Sequence, residues 1–475
     1  MNHLDKLFID GQWVASDGDE WLEVINPARE TLVARVPSAT NGDVDRAVAA
    51  AKAAFPAWSI TSVAYRQQLL VTIAEAMQAR ADQLAQVVSD SMGCPLKVAK
   101  WLQIEGSIQA MGAFARHMDA VAWEEPMHNA IVVREAAGVC GFINPWNYPL
   151  HQFVGKVGAA LAAGCTMVVK PSEQTPLQDY MMAEILLEAG LPAGVFNLVP
   201  GKGQNVGAHL SQHPDLDVIS FTGSTRAGVE VAKAAAPTVK RVTQELGGKS
   251  PFIITASADL KTAVRYGVED VMLNSGQTCT ALTRMLVPSG SYQEAVATAK
   301  QIAESLLLGY GDQAFMGPLS SRQQQQRVLE YIQLGRQEGA RLVCGGEAAQ
   351  VDGAGYYIQP TIFADVHNGM AIAQEEIFGP VLCMIPYTDI DEAVAIANDT
   401  PYGLSSGVFA GSDSEALSIA KQIRAGQCYL NGAVFDCQVP FGGYKQSGNG
   451  REFSPLGIEE FLEIKAIQHP VEQPV

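Results

Sequence analysis

The chain has 475 residues, 48% apolar and 17% charged, with a formal net charge of -18. That length and composition exclude a mainly disordered chain and predict roughly two or three domains with substantial cores. The acidic balance repels nucleic acid phosphates and anionic lipid, and no Lys/Arg run offsets it, so the expected partner is a small soluble molecule.

The opening MNHLDKLFID has mixed charge and no apolar h-region, and no apolar run reaches membrane-spanning length, so a cytoplasmic location is expected. Leu7 to Val14 reads as a strand. Asp43 to Phe55 and Tyr65 to Met92 each carry apolar residues at helical spacing. From Val139 onward, short apolar runs end in Gly, Pro, Ser or Thr and lead into helical stretches: GVCGFINPWN, TMVVKPSEQTP, GVFNLVPG, VISFTGSTRAG and RVTQELGG. Parallel strands are buried on both faces and need crossover helices, so this rhythm predicts a doubly wound α/β domain. After Gly247-Gly248 a second α/β region follows, with strands in PFIIT, RMLVP, RLVCGG, PVLCMIPY and SSGVFAG and helices over Lys261 to Leu273 and Tyr292 to Leu307. The Gln323 to Gln326 run reads as a solvated helix face.

Eight cysteines are scattered without a C-x-x-C pair, which predicts neither a disulfide framework nor a zinc knuckle. Cys279 stands apart because NSGQTCT sets its thiol among small, turn-forming residues. An unperturbed thiol, with a pKa of ~8.5, is only slightly ionised at neutral pH and needs a base or donors to attack. Glu245 is the candidate base: it ends the strand-like RVTQE, and carboxylates at the C-terminal ends of parallel strands face the ligand crevice. The competing reading is a solvated surface glutamate. FTGSTRAG, with Gly223, Ser224 and Gly228, is a Gly-rich turn entering a helix and suits a phosphate, while Lys170 and Glu173 in KPSEQTP follow a strand and suit ribose hydroxyls. GKGQNVG, with Gly203, only approximates a dinucleotide fingerprint. His209 and His213 have the spacing of two metal ligands, but HLSQH lacks a catalytic Glu, and no metal is assigned.

In this order, INPWNYP, VVKPSEQTP, FTGSTRAG, TQELGGKSP, GQTC, EEIFGPV and VPFGGYKQSGNGRE resemble the aldehyde dehydrogenase superfamily across essentially the whole chain. The resemblance implies a Rossmann-like cofactor domain of five strands (1-118 and 138-247), an α/β catalytic domain (248-454), and an oligomerisation arm (119-137 and 455-475) that makes a homodimer or homotetramer. It implies oxidation of an aldehyde to a carboxylic acid, with Cys279 as nucleophile, Glu245 as base, Asn147 in the oxyanion hole, and Lys156 and Glu452 in proton relay. NAD is the implied cofactor, in preference to NADP, with Lys170 and Glu173 at the ribose, Ser224 at the pyrophosphate and Glu376 and Phe378 at the nicotinamide end. Ile143, Trp146, Gly203, Phe221, Gly223 and Leu246 complete the implied cofactor cradle. Tyr148, His151, Gln152, Gly155, Leu273, Thr278, Thr280, Phe435 and Phe441 are the implied substrate tunnel. Many relatives carry a bulky aromatic where this chain has Gly155, which predicts a wider tunnel. A semialdehyde substrate and transfer of the acyl group to CoA are the alternatives; relatives that acylate CoA generally lack the carboxylate at position 245.

Overall fold

The computed structural model describes residues 3–470. Leu7 to Val14 is a hairpin rather than one strand: Leu7–Ile9 pairs antiparallel with Gln12–Val14 across Asp10-Gly11. Both turn residues have positive φ, 53° and 71°, the backbone that a two-residue hairpin turn requires. Asn41–Ser59 begins with a capping box in which the Thr40 hydroxyl accepts from the Asp43 N–H and the Asp43 carboxylate accepts from the Thr40 N–H. The stretch expected to be one helix over 65 to 92 is two, Val63–Ala79 and Ala81–Met92, with Arg80 between them outside helical geometry (ψ 16°).

All five strand–turn–helix units form neighbouring parallel strands, in the order Phe196–Leu198, Thr166–Lys170, Val139–Ile143, Val218–Thr222, Arg241–Glu245. These strands are almost entirely buried, as a sheet covered on both faces requires. Chain order reverses between Val139–Ile143 and Val218–Thr222, and the crevice beyond the C-terminal ends at such a switch point is where open α/β sheets bind ligands. The sheet is wider than five strands. The N-terminal hairpin extends one edge, and Gly448–Asn449 pairs antiparallel with Gln244–Glu245 at the other. That last pairing carries a piece of the expected catalytic segment into the cofactor sheet.

The second sheet contains all five expected strands plus Thr361–Ala364 and Tyr429–Leu430; only the edge strand Arg341–Cys344 runs antiparallel to its neighbour. Glu124–Met127, Ala130–Ala136 and Leu462–Gln468 form a separate antiparallel sheet from the two segments expected as the arm; residues 471–475 of that range lie outside the described residues. No helix among the described residues is long and apolar enough to cross a membrane.

The helix Pro149–Ala163 ties the sheet to the site. Every residue in it is buried except His151, which is half-buried, and Gly158 lies against Phe114 of the helix Gly106–His117, where a Cβ would come within 2.5 Å of the ring.

Candidate active site

Cys279 follows a sharp reversal at the end of the helix Leu260–Met272. Asn274, Ser275 and Gly276 all have positive φ, 51°, 58° and 72°, a conformation costly for the two non-glycine residues unless the surroundings hold it. The surroundings do. Ser275 Oγ donates to the Gly317 carbonyl (2.7 Å), Gln277 Oε1 accepts from the Ser320 N–H (2.8 Å), and Asn274 Nδ2 donates to the Asn147 carbonyl (3.0 Å). In return Asn147 Nδ2 donates to the Gln277 carbonyl at 3.0 Å, and Gln103 Nε2 donates to the Asn147 carbonyl at 3.0 Å. The turn carrying the thiol and the PWN turn carrying Asn147 are therefore fixed to each other by reciprocal hydrogen bonds.

Burial pushes the Cys279 thiol well above the ordinary thiol range, and the neighbouring Glu376 and Glu245 carboxylates push it further. The resting thiol is protonated at neutral pH and requires a base. Glu245, the last residue of its strand, is 5% exposed, which overturns the solvated-surface reading. Burial raises its carboxyl well above the usual range, Glu452 raises it further, and Lys156 and Arg451 oppose them. Its Oε2 has no hydrogen-bond partner among the described residues. A buried carboxyl of high proton affinity with an unpartnered oxygen can exchange protons.

Lys156 Nζ sits behind this group, donating to Glu452 Oε1 and Thr222 Oγ1, both at 2.6 Å, and to Gln152 Oε1 at 3.3 Å. Gln152, expected in the tunnel wall, is thus turned into the charged cluster, where its amide oxygen also accepts from Thr222 at 3.2 Å. Gly247 and Gly248 bring the halves of the site together: a Cβ at 247 would collide with the Glu376 carboxylate, and one at 248 would lie 2.6 Å from the Cys279 carbonyl oxygen.

The expected cofactor residues gather at the switch point. Lys170, buried at its strand end, donates to the Pro171 and Gly201 carbonyls (2.7 and 2.9 Å) and to Glu173 (3.3 Å). Burial lowers its ammonium pKa against the opposing pull of Glu173. Gly203 faces open space. Ile143, Phe221 and Leu246 are buried in one cluster beneath the crevice, and Gly223 leads into Ser224, whose oxygen caps the helix Thr225–Ala235 by accepting from the Ala227 N–H at 3.3 Å. That bond leaves the hydroxyl proton free to donate. Across the crevice Glu376 accepts from the Gly248 N–H (3.0 Å), and Phe378, at φ 61°, meets Trp146 edge-on at 5.4 Å. The Gln run is more than a solvated face, since Gln324 Nε2 donates to the Phe378 carbonyl (2.7 Å) and Arg327 to the Glu376 carbonyl (2.8 Å).

On the other side of Cys279, the Tyr148 hydroxyl and Thr278 Oγ1 are 2.8 Å apart. Leu273 and Thr280 are half-buried. The His151 ring lies 5.2 Å from Phe435, which lies 5.7 Å from Phe441. Burial, aided by Lys156, pushes His151 down to about 4, so its ring is neutral at physiological pH. The space expected beside Gly155 is filled: a Cβ there would lie 3.1 Å from Phe453 Cζ and 3.3 Å from Glu452 Oε2. Phe453 thus takes up the volume beside Gly155 from which a wider tunnel was expected.

His209 and His213 both point at Asp45 Oδ1, at 2.7 and 3.3 Å. No group of three or more His, Cys, Asp or Glu side chains among the described residues is placed to hold a metal ion.

Comparison with known proteins decides the family. The aldehyde dehydrogenase family model matches residues 13–467. The chain belongs to the aldehyde dehydrogenase family. It is 49% identical to a 3-succinoylsemialdehyde-pyridine dehydrogenase from a Pseudomonas species, over 98% of this chain and 99% of that one. A mutant aldehyde dehydrogenase C from Pseudomonas syringae, crystallised with NAD+ and octanal, superposes with a TM-score of 0.97 at 47% identity, covering 99% of this chain and 98% of that one. The Mycobacterium tuberculosis aldehyde dehydrogenase complexed with NAD+ gives 0.96 at 42%, covering 99% of each chain. Several residues of this aldehyde dehydrogenase that build the site had no site role assigned from sequence: Gln103, Asn274, Gln277, Gln324, Arg327 and Phe453. Only Asn274 had a usable signal, as the first residue of the turn-forming Asn-Ser-Gly.

Proposed function

We propose that this aldehyde dehydrogenase uses NAD to oxidise a neutral aldehyde of long or aromatic body, through a thioester on Cys279 that water hydrolyses. The observation that carries this reading is the clamp of Asn147 to Asn274 and Gln277, on the turn that leads to Cys279, beside the buried Glu245 carboxyl with its unpartnered Oε2. Glu245 takes the thiol proton as sulfur attacks the aldehyde carbon, forming the C–S bond and an alkoxide. The second N–H of the Asn147 amide and the Cys279 backbone N–H are the donors for that oxyanion. Bound NAD supplies the hydride acceptor when the alkoxide collapses and the C–H bond breaks. Glu245, once it has passed the thiol proton onward, takes a proton from water as the water oxygen adds to the thioester; the C–S bond breaks, the acid leaves, and Glu245 returns that proton to the sulfur to restore the thiol. The Lys156–Glu452 pair holds charge beside Glu245 and offers its proton a route onward.

The cradle fits NAD: Ser224 caps a helix N-terminus at the switch point, and Lys170 and Glu173 stand at a strand end open toward Gly203. The NAD+ bound by the Pseudomonas syringae and Mycobacterium tuberculosis enzymes supports the same choice. A Glu173 carboxylate accepting from ribose hydroxyls repels a 2′-phosphate. The expected kcat/KM for NAD exceeds that for NADP by about tenfold or more, an advantage of ~1.4 kcal/mol, and Glu173→Gln narrows the gap. Equal kcat/KM for the two cofactors would remove Glu173 from this role.

Burial pushes Glu376 up to about 7. Its ionised form is the stronger acceptor for two ribose hydroxyls, so the Kd for NAD should rise as pH falls through about 7, and this dependence should vanish in Glu376→Gln. A flat profile in the unmodified enzyme would show that Glu376 does not meet the ribose as a carboxylate.

The tunnel side supports a neutral substrate, since none of Tyr148, His151, Gln152, Gly155, Leu273, Thr278, Thr280, Phe435 and Phe441 carries a fixed cation and the neighbouring Lys156 is already paired with Glu452. The relatives associated with octanal and with a pyridine-bearing semialdehyde fit the same body size. We further infer a homodimer or homotetramer built through the arm sheet, where Met127, Ile464 and Ile467 are exposed. NADH absorbance on adding octanal, with and without CoA, tests the activity: a rise independent of CoA is expected. A strict CoA requirement would favour the acylating reading, and no rise with any aldehyde would exclude both.

A further inference from the structure

We propose that Phe453 is a specificity-determining residue, its ring turned back onto the glycine-bared face of the helix Pro149–Ala163 to set the width of the aldehyde tunnel. The inference rests on the tunnel assignment above and adds to it the residue that forms the wall.

Gly155 and Gly158 lie three residues apart on one face of that helix. Each glycine admits a ring: a Cβ at 155 would meet Phe453 Cζ at 3.1 Å, and a Cβ at 158 would meet Phe114 Cδ2 at 2.5 Å. The two rings are nearly parallel, with centroids 6.2 Å apart and an interplanar angle of 18°. Phe114 therefore backs Phe453. On its other sides Phe453 meets three residues of the expected tunnel, His151 at 4.8 Å, Phe435 at 5.8 Å and Phe441 at 6.4 Å.

The backbone delivers the ring at a conformational cost. Phe453 has φ 59° and ψ 176°, and Ser454 follows at φ 57°; such geometry in non-glycine residues persists only where the surroundings impose it, and it concentrates at ligand-facing positions. Glu452 imposes it here. Its N–H donates to the Phe441 carbonyl (2.7 Å), its carbonyl accepts from the Phe441 N–H (2.9 Å), and its carboxylate is held by Lys156. With Glu452 pinned on the charged side, the left-handed turn at the next residue sends the Phe453 ring to the apolar side. One dipeptide thus supplies the relay carboxylate and the tunnel wall. The bulk that Gly155 omits from the helix arrives from a segment almost 300 residues later in sequence, a separation visible in the Lys156–Glu452 bond itself (296 residues).

A wall made of one ring is tested by removing it. For the unmodified enzyme, Phe453→Leu and Phe453→Ala, kcat/KM is measured with hexanal and 2-naphthaldehyde, alongside NAD binding and the thermal midpoint. The naphthaldehyde-to-hexanal ratio should rise about tenfold in Phe453→Ala and about threefold in Phe453→Leu, the scale on which apolar pockets discriminate by size. Gly155→Trp alone should lower the thermal midpoint because the ring occupies its space, whereas Gly155→Trp combined with Phe453→Ala should restore both the midpoint and the hexanal preference. A ratio within twofold of the unmodified enzyme in Phe453→Leu, with NAD binding intact, overturns the proposal. An unmodified enzyme that oxidises neither aldehyde would instead overturn the functional reading on which it rests.

Discussion

Replacing Cys279 by alanine is expected to lower steady-state aldehyde oxidation by about 10⁴-fold or more, the scale of loss when a covalent nucleophile is removed, while leaving NAD affinity within about threefold. The two effects separate because the thiol and the cofactor cradle are built from different elements. Cys279 follows the left-handed turn Asn274–Gly276, which is held by Asn147 and, through Gln277, by Ser320. Lys170, Glu173 and Ser224 stand at strand ends and a helix start of the other sheet. The side-chain and loop hydrogen bonds that fix the turn do not involve the thiol, so the variant should keep its fold and its thermal midpoint. NADH formation is followed at saturating NAD, and cofactor binding by fluorescence titration. Retained turnover would remove the nucleophile from the mechanism.

Glu245→Gln should separate the half-reactions. The amide keeps the size and burial of the side chain but cannot accept a proton, and loss of a positioned general base costs typically 10²- to 10⁴-fold. Steady-state turnover is expected to fall by about 10³-fold, with one equivalent of NADH still released in the first turnover, slowly, because the thiol has also lost its base. The pH profile carries the sign. In the unmodified enzyme Glu245 is raised by burial and by Glu452, so activity should climb as pH rises through its elevated pKa, when the carboxylate becomes available. That limb should disappear in the variant. His151, pushed down to about 4, is neutral throughout this range and contributes no limb of its own. An unchanged steady-state rate in Glu245→Gln would return the residue to a structural role.

The parallel strands were legible because runs such as TMVVK and VISFT are apolar throughout and stop at Pro, Gly or Ser, the pattern that burial on both faces imposes. The break at Arg80 was not: helical periodicity continues on both sides, and no Gly or Pro marks the stop. Gly448–Asn449 and Tyr429–Leu430 are too short to show alternation, and their pairing depends on strands far away in sequence. At the site, the turns around Cys279 and Asn147 were readable from their small and polar residues, and the resemblance supplied their roles. What could not be read were long-range contacts: Gln152 turned toward Lys156, Gln324 and Arg327 holding the Glu376–Phe378 loop, and Phe453 filling the space that Gly155 leaves. A missing side chain in one segment says nothing of which other segment replaces its volume.

The covalent intermediate on Cys279 links hydride transfer to hydrolysis, and Glu245→Gln provides a way to trap it. The variant is mixed with octanal and NAD, quenched in acid within the first turnover and digested, and the peptides are weighed by mass spectrometry. An octanoyl group is expected on the peptide containing Cys279, formed only when both aldehyde and NAD are present. An unmodified Cys279 peptide together with one equivalent of NADH already released would contradict the covalent intermediate.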